Sequence, residues 1–166
     1  MSHAGGWARD VCDGVHASGI RDVVYVPDNP LSYVLRAFEQ GYADVRLLLA
    51  TREEEAFGIA AGLYLGGRRA AVMLQSSGIG NSLNALTSLV LPYQIPMLII
   101  VSMRGDAGEW NAAQVPMGRS LPAILDAIGI PHAIVESAGR SGRSSQLARK
   151  PRSPRGSRAP SCCRGV

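Results

Sequence analysis

Along the first 136 residues, apolar positions switch repeatedly between two rhythms. Helical spacing, with apolar residues three and four apart, marks Gly5–Ser18, where Trp7, Val11 and Val15 share a face. It returns at Leu31–Gly41, Arg52–Leu65, Ser82–Leu91 and Ser120–Ile128. Between these lie short runs that are apolar almost throughout: Asp22–Val26, Val45–Ala50, Ala70–Leu74 and Pro96–Ser102, with His132–Val135 as a fifth. Strands without polar alternation are covered on both faces, and strands separated by helices pair in parallel. The pattern therefore predicts an α/β fold, a three-layer α/β/α arrangement around a mostly parallel sheet of about five or six strands. Ligands of such sheets sit beyond the carboxyl ends of the strands. Pro27–Ser32, Thr51–Glu55, Gln75–Asn81 and Met103–Gly118 occupy those places, and all are richer in polar residues, glycine or proline than their flanks.

The rhythm stops at Gly139, which divides the chain into a domain, residues 1–138, and a tail, residues 139–166. The net charge of +4 for 166 residues hides the same division. Residues 1–138 hold nine arginines and thirteen acids, whereas 139–166 hold seven arginines and Lys150 with no acid. The domain is thus mildly acidic, and nothing in it suggests nucleic acid. The tail is mostly Arg, Ser, Pro and Gly and has too little apolar surface to offset the cost of ordering. Two readings of it stay open: a basic segment for anionic surfaces, or the product of a reading-frame change that replaced the native end of the domain. Cys12, Cys162 and Cys163 form neither a disulfide framework nor a metal-ligand spacing. No apolar run is long enough to span a membrane, and the N-terminus lacks the apolar core of a signal peptide, so a cytoplasmic protein is expected.

Thr51–Gly62, TREEEAFGIAAG, carries the most chemistry. It sets Glu53, Glu54 and Glu55 at a strand-to-helix junction, followed at once by a small, apolar helix. Acids in a helix's first turn offset its positive end, which by itself accounts for three carboxylates there. Successive helical residues point about 100° apart, so three adjacent acids cannot all face one pocket. Gln75–Leu83, QSSGIGNSL, follows a strand and is expected to be a glycine-bearing turn that opens a helix. As a phosphate loop it lacks the Lys-Ser/Thr ending, and Leu83 stands where a dinucleotide fingerprint has its third glycine. The scattered His3, His16 and His132 are assigned no role.

Taken in order, VPDNPLSYVL, TREEEAFGIAAGLYLGG, VMLQSSGIGNSLNAL and PMLIIVSMRGDAGEWNAAQVPMG resemble the pyrimidine-binding domain of thiamine-diphosphate-dependent 2-oxoacid decarboxylases. Within that superfamily the resemblance is to the branch that decarboxylates 3-sulfopyruvate or 3-phosphonopyruvate, and it covers about Gly19–Glu136. It implies the thiamine-diphosphate-binding fold and a catalytic, cofactor-binding glutamate that hydrogen-bonds N1′ of the aminopyrimidine. Counting back from Ala61-Gly62 assigns that role to Glu53, with Glu54 and Glu55 left as helix-start and interface charges. By the same resemblance Gln75, Ser76, Ser77, Gly78 and Asn81 line the cofactor near the reactive thiazolium. Asp28 and Asn29 contribute substrate-side polar groups, although Pro-Asp-Asn-Pro is equally strong turn chemistry. Arg104, Glu109, Trp110, Asn111 and Gln114 belong to a long loop of the kind that covers a site. Arg104, in that same loop, is expected either to pair with a sulfonate or phosphonate or to pair at the surface with Asp106. Relatives often carry a titratable His near Gln75, so the proton donor is unidentified.

The resemblance also implies what this chain does not supply. The family anchors diphosphate and Mg²⁺ through a separate domain carrying Gly-Asp-Gly and a later Asn-Asn, and Gly105-Asp106-Ala107-Gly108 lacks that continuation. A diphosphate-binding subunit or domain is therefore expected as partner and holder of Mg²⁺, in a homo- or hetero-oligomer acting on a small anionic 2-oxoacid. The chain is expected to be inactive alone. Two other readings remain: a flavodoxin-like module that binds a nucleotide or cofactor without catalysis, and a truncated, inactive product.

Overall fold

Four parallel strands form the sheet: β1 Asp22–Tyr25, β2 Arg46–Leu49, β3 Ala70–Gln75 and β4 Leu98–Ser102, in the order β2-β1-β3-β4. The computed structural model describes residues 6–106 and 108–135. Register follows the apolar runs, with Val24 opposite Leu48 on one side and Val72 on the other. Alternate residues of the central strands face opposite layers. Val23, Ala71 and Met73 pack with Ala8, Cys12, Val15, Leu31, Val34 and Phe38 of α1 (Gly6–Ala17) and α2 (Leu31–Gly41). Val24, Val72 and Leu74 pack with Ala56, Phe57, Ala60, Ile79 and Leu121 of α3 (Glu53–Leu65), α4 (Ser76–Asn81) and α6 (Val115–Ala127). The result is the expected α/β/α sandwich.

Connectivity explains which helices share a layer. A parallel crossover is right-handed, so its direction across the sheet decides the face its helix covers. The chain moves one way from β1 to β2, through α2. It then moves the other way from β2 past β1 to β3, through α3, and continues that way to β4. Hence α2 lies on one face, while α3 and α4 lie together on the other. The reversal occurs between β1 and β3, and the crevice beyond their carboxyl ends is where this topology receives ligands.

Three expectations need correction. The described sheet has four strands, because His132–Val135 forms no ladder. Its Ile134 and Val135 are exposed, so these apolar side chains gain no buried face from extending, and His132 Nδ1 instead lies 3.2 Å from the carbonyl of Ile130. The segment after β3 is no open turn: α4 begins at Ser76, with Gln75 as its cap in extended conformation. It stops at Ser82, whose hydroxyl bonds the carbonyl of Gly78, and a short turn, α5 (Leu83–Ala85), then widens into a π-helical stretch, Leu86–Val90. Finally, β2 is a half-exposed edge rather than a buried strand, with Leu49 open to solvent. The tail, residues 139–166, lies outside the described residues.

The amino ends of the strands are tied by one buried acid. Asp22 is 1% exposed, and its two oxygens are held by half-exposed Arg46, at 2.6 Å, and Arg68, at 2.6 Å. Burial alone raises this carboxyl's pKa, but hydrogen bonds from Arg68 and Arg46 outweigh it and leave the net shift downward. A depressed carboxylate stabilises the fold above its ordinary value of 3.8 and loses that contribution as pH falls through its folded value. Asp22→Asn is therefore expected to lower stability by about 2 kcal/mol at pH 7, discounted from a fully buried pair because both arginines meet water. In urea melts of the full chain the gap to wild type should close below about pH 4; a gap unchanged down to pH 2 contradicts the assignment.

Candidate functional site

The site is built from the segments that leave the carboxyl ends of the strands. After β2, Thr51 and Arg52 lead into α3, whose first turn is Glu53-Glu54-Glu55. The three acids have separate tasks. Glu55 reaches back to accept the backbone N–H and hydroxyl of Thr51, both at 2.7 Å, which satisfies a helix-start donor and lowers its own pKa. Glu54 pairs through Oε1 with Arg52 at 2.9 Å, while its Oε2 is buried without a partner. Glu53 turns toward α4 and is half-buried.

Glu53 lies directly on Gly78. A Cβ at position 78 would fall 2.5 Å from Glu53 Cγ and 2.8 Å from Leu74 Cδ1. Glycine at this position leaves room for the Glu53 side chain to lie against the α4 backbone. Asn81, one turn along α4, donates from Nδ2 to Glu53 Oε2 at 3.2 Å. So three of the residues expected near the cofactor, Glu53, Gly78 and Asn81, are brought together. Of the others, Ser76 is fully buried with its hydroxyl unpartnered, and Ser77 is half-buried.

A second cluster joins the ends of β1, β3 and β4. Asp28 Oδ2 accepts the hydroxyl of Ser102, and its Oδ1 lies 3.4 Å from Arg104 Nη1, which stands equally far from Gln75 Oε1. Arg104 spends its fork on Glu109, with Nε and Nη2 donating to the two carboxylate oxygens at 2.8 and 3.0 Å. Those bonds, with the N–H of Asn111, pull the Glu109 pKa down to about 2. Arg104 is thus partnered with Glu109 and not with Asp106, because Gly105 at φ +87° turns the loop so that the fifth residue along, rather than the second, returns to it. The root of the loop is fixed by a second close approach: a Cβ on Gly118 of α6 would sit 1.8 Å from the carbonyl oxygen of Arg104.

Two expected residues stand apart from this cluster. Asn29 is exposed, and its carbonyl accepts the N–H and hydroxyl of Ser32, the turn chemistry that starts α2. Gln114 occupies the N-cap position of α6 without a side-chain capping bond, and its Oε1 is buried with no partner. Ser102 was not singled out from sequence, although a polar residue closing an otherwise apolar strand was the available signal; Glu109 was placed in the long covering loop without a partner of its own.

A half-buried carboxylate beside a parallel α/β sheet's switch point defines a class: residues 7–117 match the family of thiamine pyrophosphate enzymes, N-terminal TPP binding domain, and the chain belongs to it. Within that class it is 47% identical over 114 residues to sulfopyruvate decarboxylase subunit alpha of Methanocaldococcus jannaschii, covering 69% of this chain and 67% of that one. It is also 38% identical over 122 residues to phosphonopyruvate decarboxylase of Streptomyces viridochromogenes, covering 72% of this chain but 30% of that enzyme. Among solved structures, benzoylformate decarboxylase from Polynucleobacter necessarius shares the fold, with a TM-score of 0.50 at 18% identity over 73% of this chain and 23% of the other.

The contact between Glu53 and Gly78 makes a direct expectation. Glycine to alanine inside an exposed helix ordinarily stabilises, yet Gly78→Ala is expected to destabilise by about 1–2 kcal/mol because of the overlap with Glu53 and Leu74. Adding Glu53→Ala should recover part of the loss in thermal melts. A stabilising Gly78→Ala shows that the approach is not as close as described.

Proposed function

We propose that this chain is the pyrimidine-binding half of a thiamine-diphosphate-dependent carboxy-lyase that converts 3-sulfopyruvate, or alternatively 3-phosphonopyruvate, to CO₂ and an aldehyde. The observation that carries the reading is Glu53, half-buried against Gly78 and Leu74 at the head of α3, in a chain of this family. The residues present suit the cofactor's pyrimidine: a carboxylate with an apolar wall and one amide partner retains capacity to bond a ring nitrogen. Thiamine diphosphate, when bound, would supply a C2 carbanion to add to a ketone and a cationic thiazolium ring to accept the electron pair released with CO₂.

Each residue's part follows from its place. Glu53 would hold pyrimidine N1′ by a hydrogen bond from its carboxyl group, and the close approach of Gly78 sets where that carboxyl lies. Asn81 fixes Oε2 and with it the direction of the carboxylate. Ser76, Ser77 and Gln75, at the start of α4, face the cofactor's reacting end. We place Asp28 and Arg104, which pair with each other, on the substrate side, with Asn29 and Gln114 apart from that pair in the flanking segments. The 3-sulfopyruvate reading takes precedence because the alpha subunits are more similar, and match over two thirds of their own length. We assign diphosphate and Mg²⁺ to a separate partner subunit within an oligomer, in the cytoplasm. Among the described residues no helix is long and apolar enough to cross a membrane. The flavodoxin-like alternative is motivated by the segment after β3, and the family match favours the pyrimidine-binding reading over it.

The test is CO₂ release from 3-sulfopyruvate by the full chain co-expressed with a diphosphate-binding partner. Activity should require both chains, and Glu53→Gln should lower kcat by about 100-fold or more. A Glu53→Gln complex with wild-type kcat contradicts the role given to this residue.

A further inference from the structure

Arg104 sits between three other groups and is 17% exposed, whereas Asp28 and Glu109 are each 8% exposed. Its guanidinium has two edges in use. The fork of Nε and Nη2 belongs to Glu109, whose carboxylate also accepts the N–H groups of Asn111 at 3.0 Å and Gly105 at 3.5 Å. The remaining nitrogen, Nη1, is thereby aimed at Asp28 Oδ1 and Gln75 Oε1. A primary amide whose oxygen faces a guanidinium turns its NH₂ group away from it. Gln75 accordingly offers N–H donors, not an acceptor, on the side away from Arg104. Two carboxylates face one guanidinium here, so the cluster has no free positive charge for an incoming anion. The donors of Gln75 are what remains.

We infer that Glu109 is a positioning residue: by gripping Arg104 it sets the Gln75 amide with its N–H donors toward the carboxylate or ketone oxygen of an anionic 2-oxoacid. This rests on the functional reading above, and it names a residue and a polarity that reading does not contain. Glu109 touches neither substrate nor cofactor; it acts through Arg104 and then Gln75. The arrangement also accounts for a buried arginine in a cluster where its charge is already neutralised, since its use is directional.

Two measurements test it on the full chain. In the isotope-labelled protein, Glu109→Gln breaks the ionic fork, and the side-chain amide resonances of Gln75 should move. In the complex with a diphosphate-binding partner, Glu109→Gln and Gln75→Ala should each lower kcat/KM for 3-sulfopyruvate about tenfold, mainly through KM. The double variant should be no worse than Gln75→Ala alone, because both remove one interaction. Unmoved Gln75 resonances, or losses that multiply to about a hundredfold, overturn the inference and leave Glu109 as a brace for its loop. If Glu109→Gln does not fold, Arg104→Lys, which keeps the charge and removes the fork, carries the same two readouts. A wild-type complex that releases no CO₂ counts against the functional reading, while the resonance measurement still decides the role of Glu109.

Discussion

Everything at this site depends on a missing carbon atom. The side chain of Glu53 occupies the space a Cβ at position 78 would take, so α3 and α4 meet through a carboxylate-bearing side chain on one side and bare backbone on the other. Interiors are packed densely enough that an overlap of this size forces the Glu53 and Leu74 side chains to shift. The glycine therefore sets where the acid lies. The topology makes the meeting possible. Two successive crossovers in the same direction place α3 and α4 on one face, so the helix after β2 starts beside the helix after β3.

Opposite ends of the sheet are organised by ionic clusters with different consequences. At the amino ends, Asp22 is almost fully buried and bridges two arginines that still meet water, so its pairing fixes the starts of β1, β2 and β3 against one another. At the carboxyl ends, Arg104 is the shared centre and carboxylates surround it. Removing the central charge in the first case leaves solvated arginines. Removing it in the second leaves two nearly buried carboxylates facing each other, the costlier outcome. The second cluster joins loops that the switch point brings to the crevice, which is why its geometry bears on function and that of Asp22 bears on stability.

Much of this was legible in the sequence. Uninterrupted apolar runs located β1 to β4 within two residues at either end, and helical spacing gave α2 with the same bounds the structure has. The order of four motif blocks identified the family, and with it the glutamate to examine. What failed was what depends on distant neighbours. Ser76-Ser77-Gly78 reads as a turn by composition, yet a helix forms there with Ile79 fully buried, an apolar gain that offsets poor local propensity. His132–Val135 has strand composition but no strand to pair with among the described residues. Separation along the chain favours Asp106 as the partner of Arg104, but the loop, left-handed at both Gly105 and Gly108, brings Glu109 back instead.

The central claim is that the Glu53 carboxylate meets the cofactor's pyrimidine nitrogen, and the carboxyl carbon of that residue reports on it most directly. In the assembled enzyme with ¹³C-labelled glutamate, assigned through Glu53→Gln, the account predicts that thiamine diphosphate shifts the Glu53 carboxyl resonance. An analogue with C–H in place of N1′ should bind without producing that shift. A resonance that ignores the cofactor, or that responds equally to both compounds, contradicts the account.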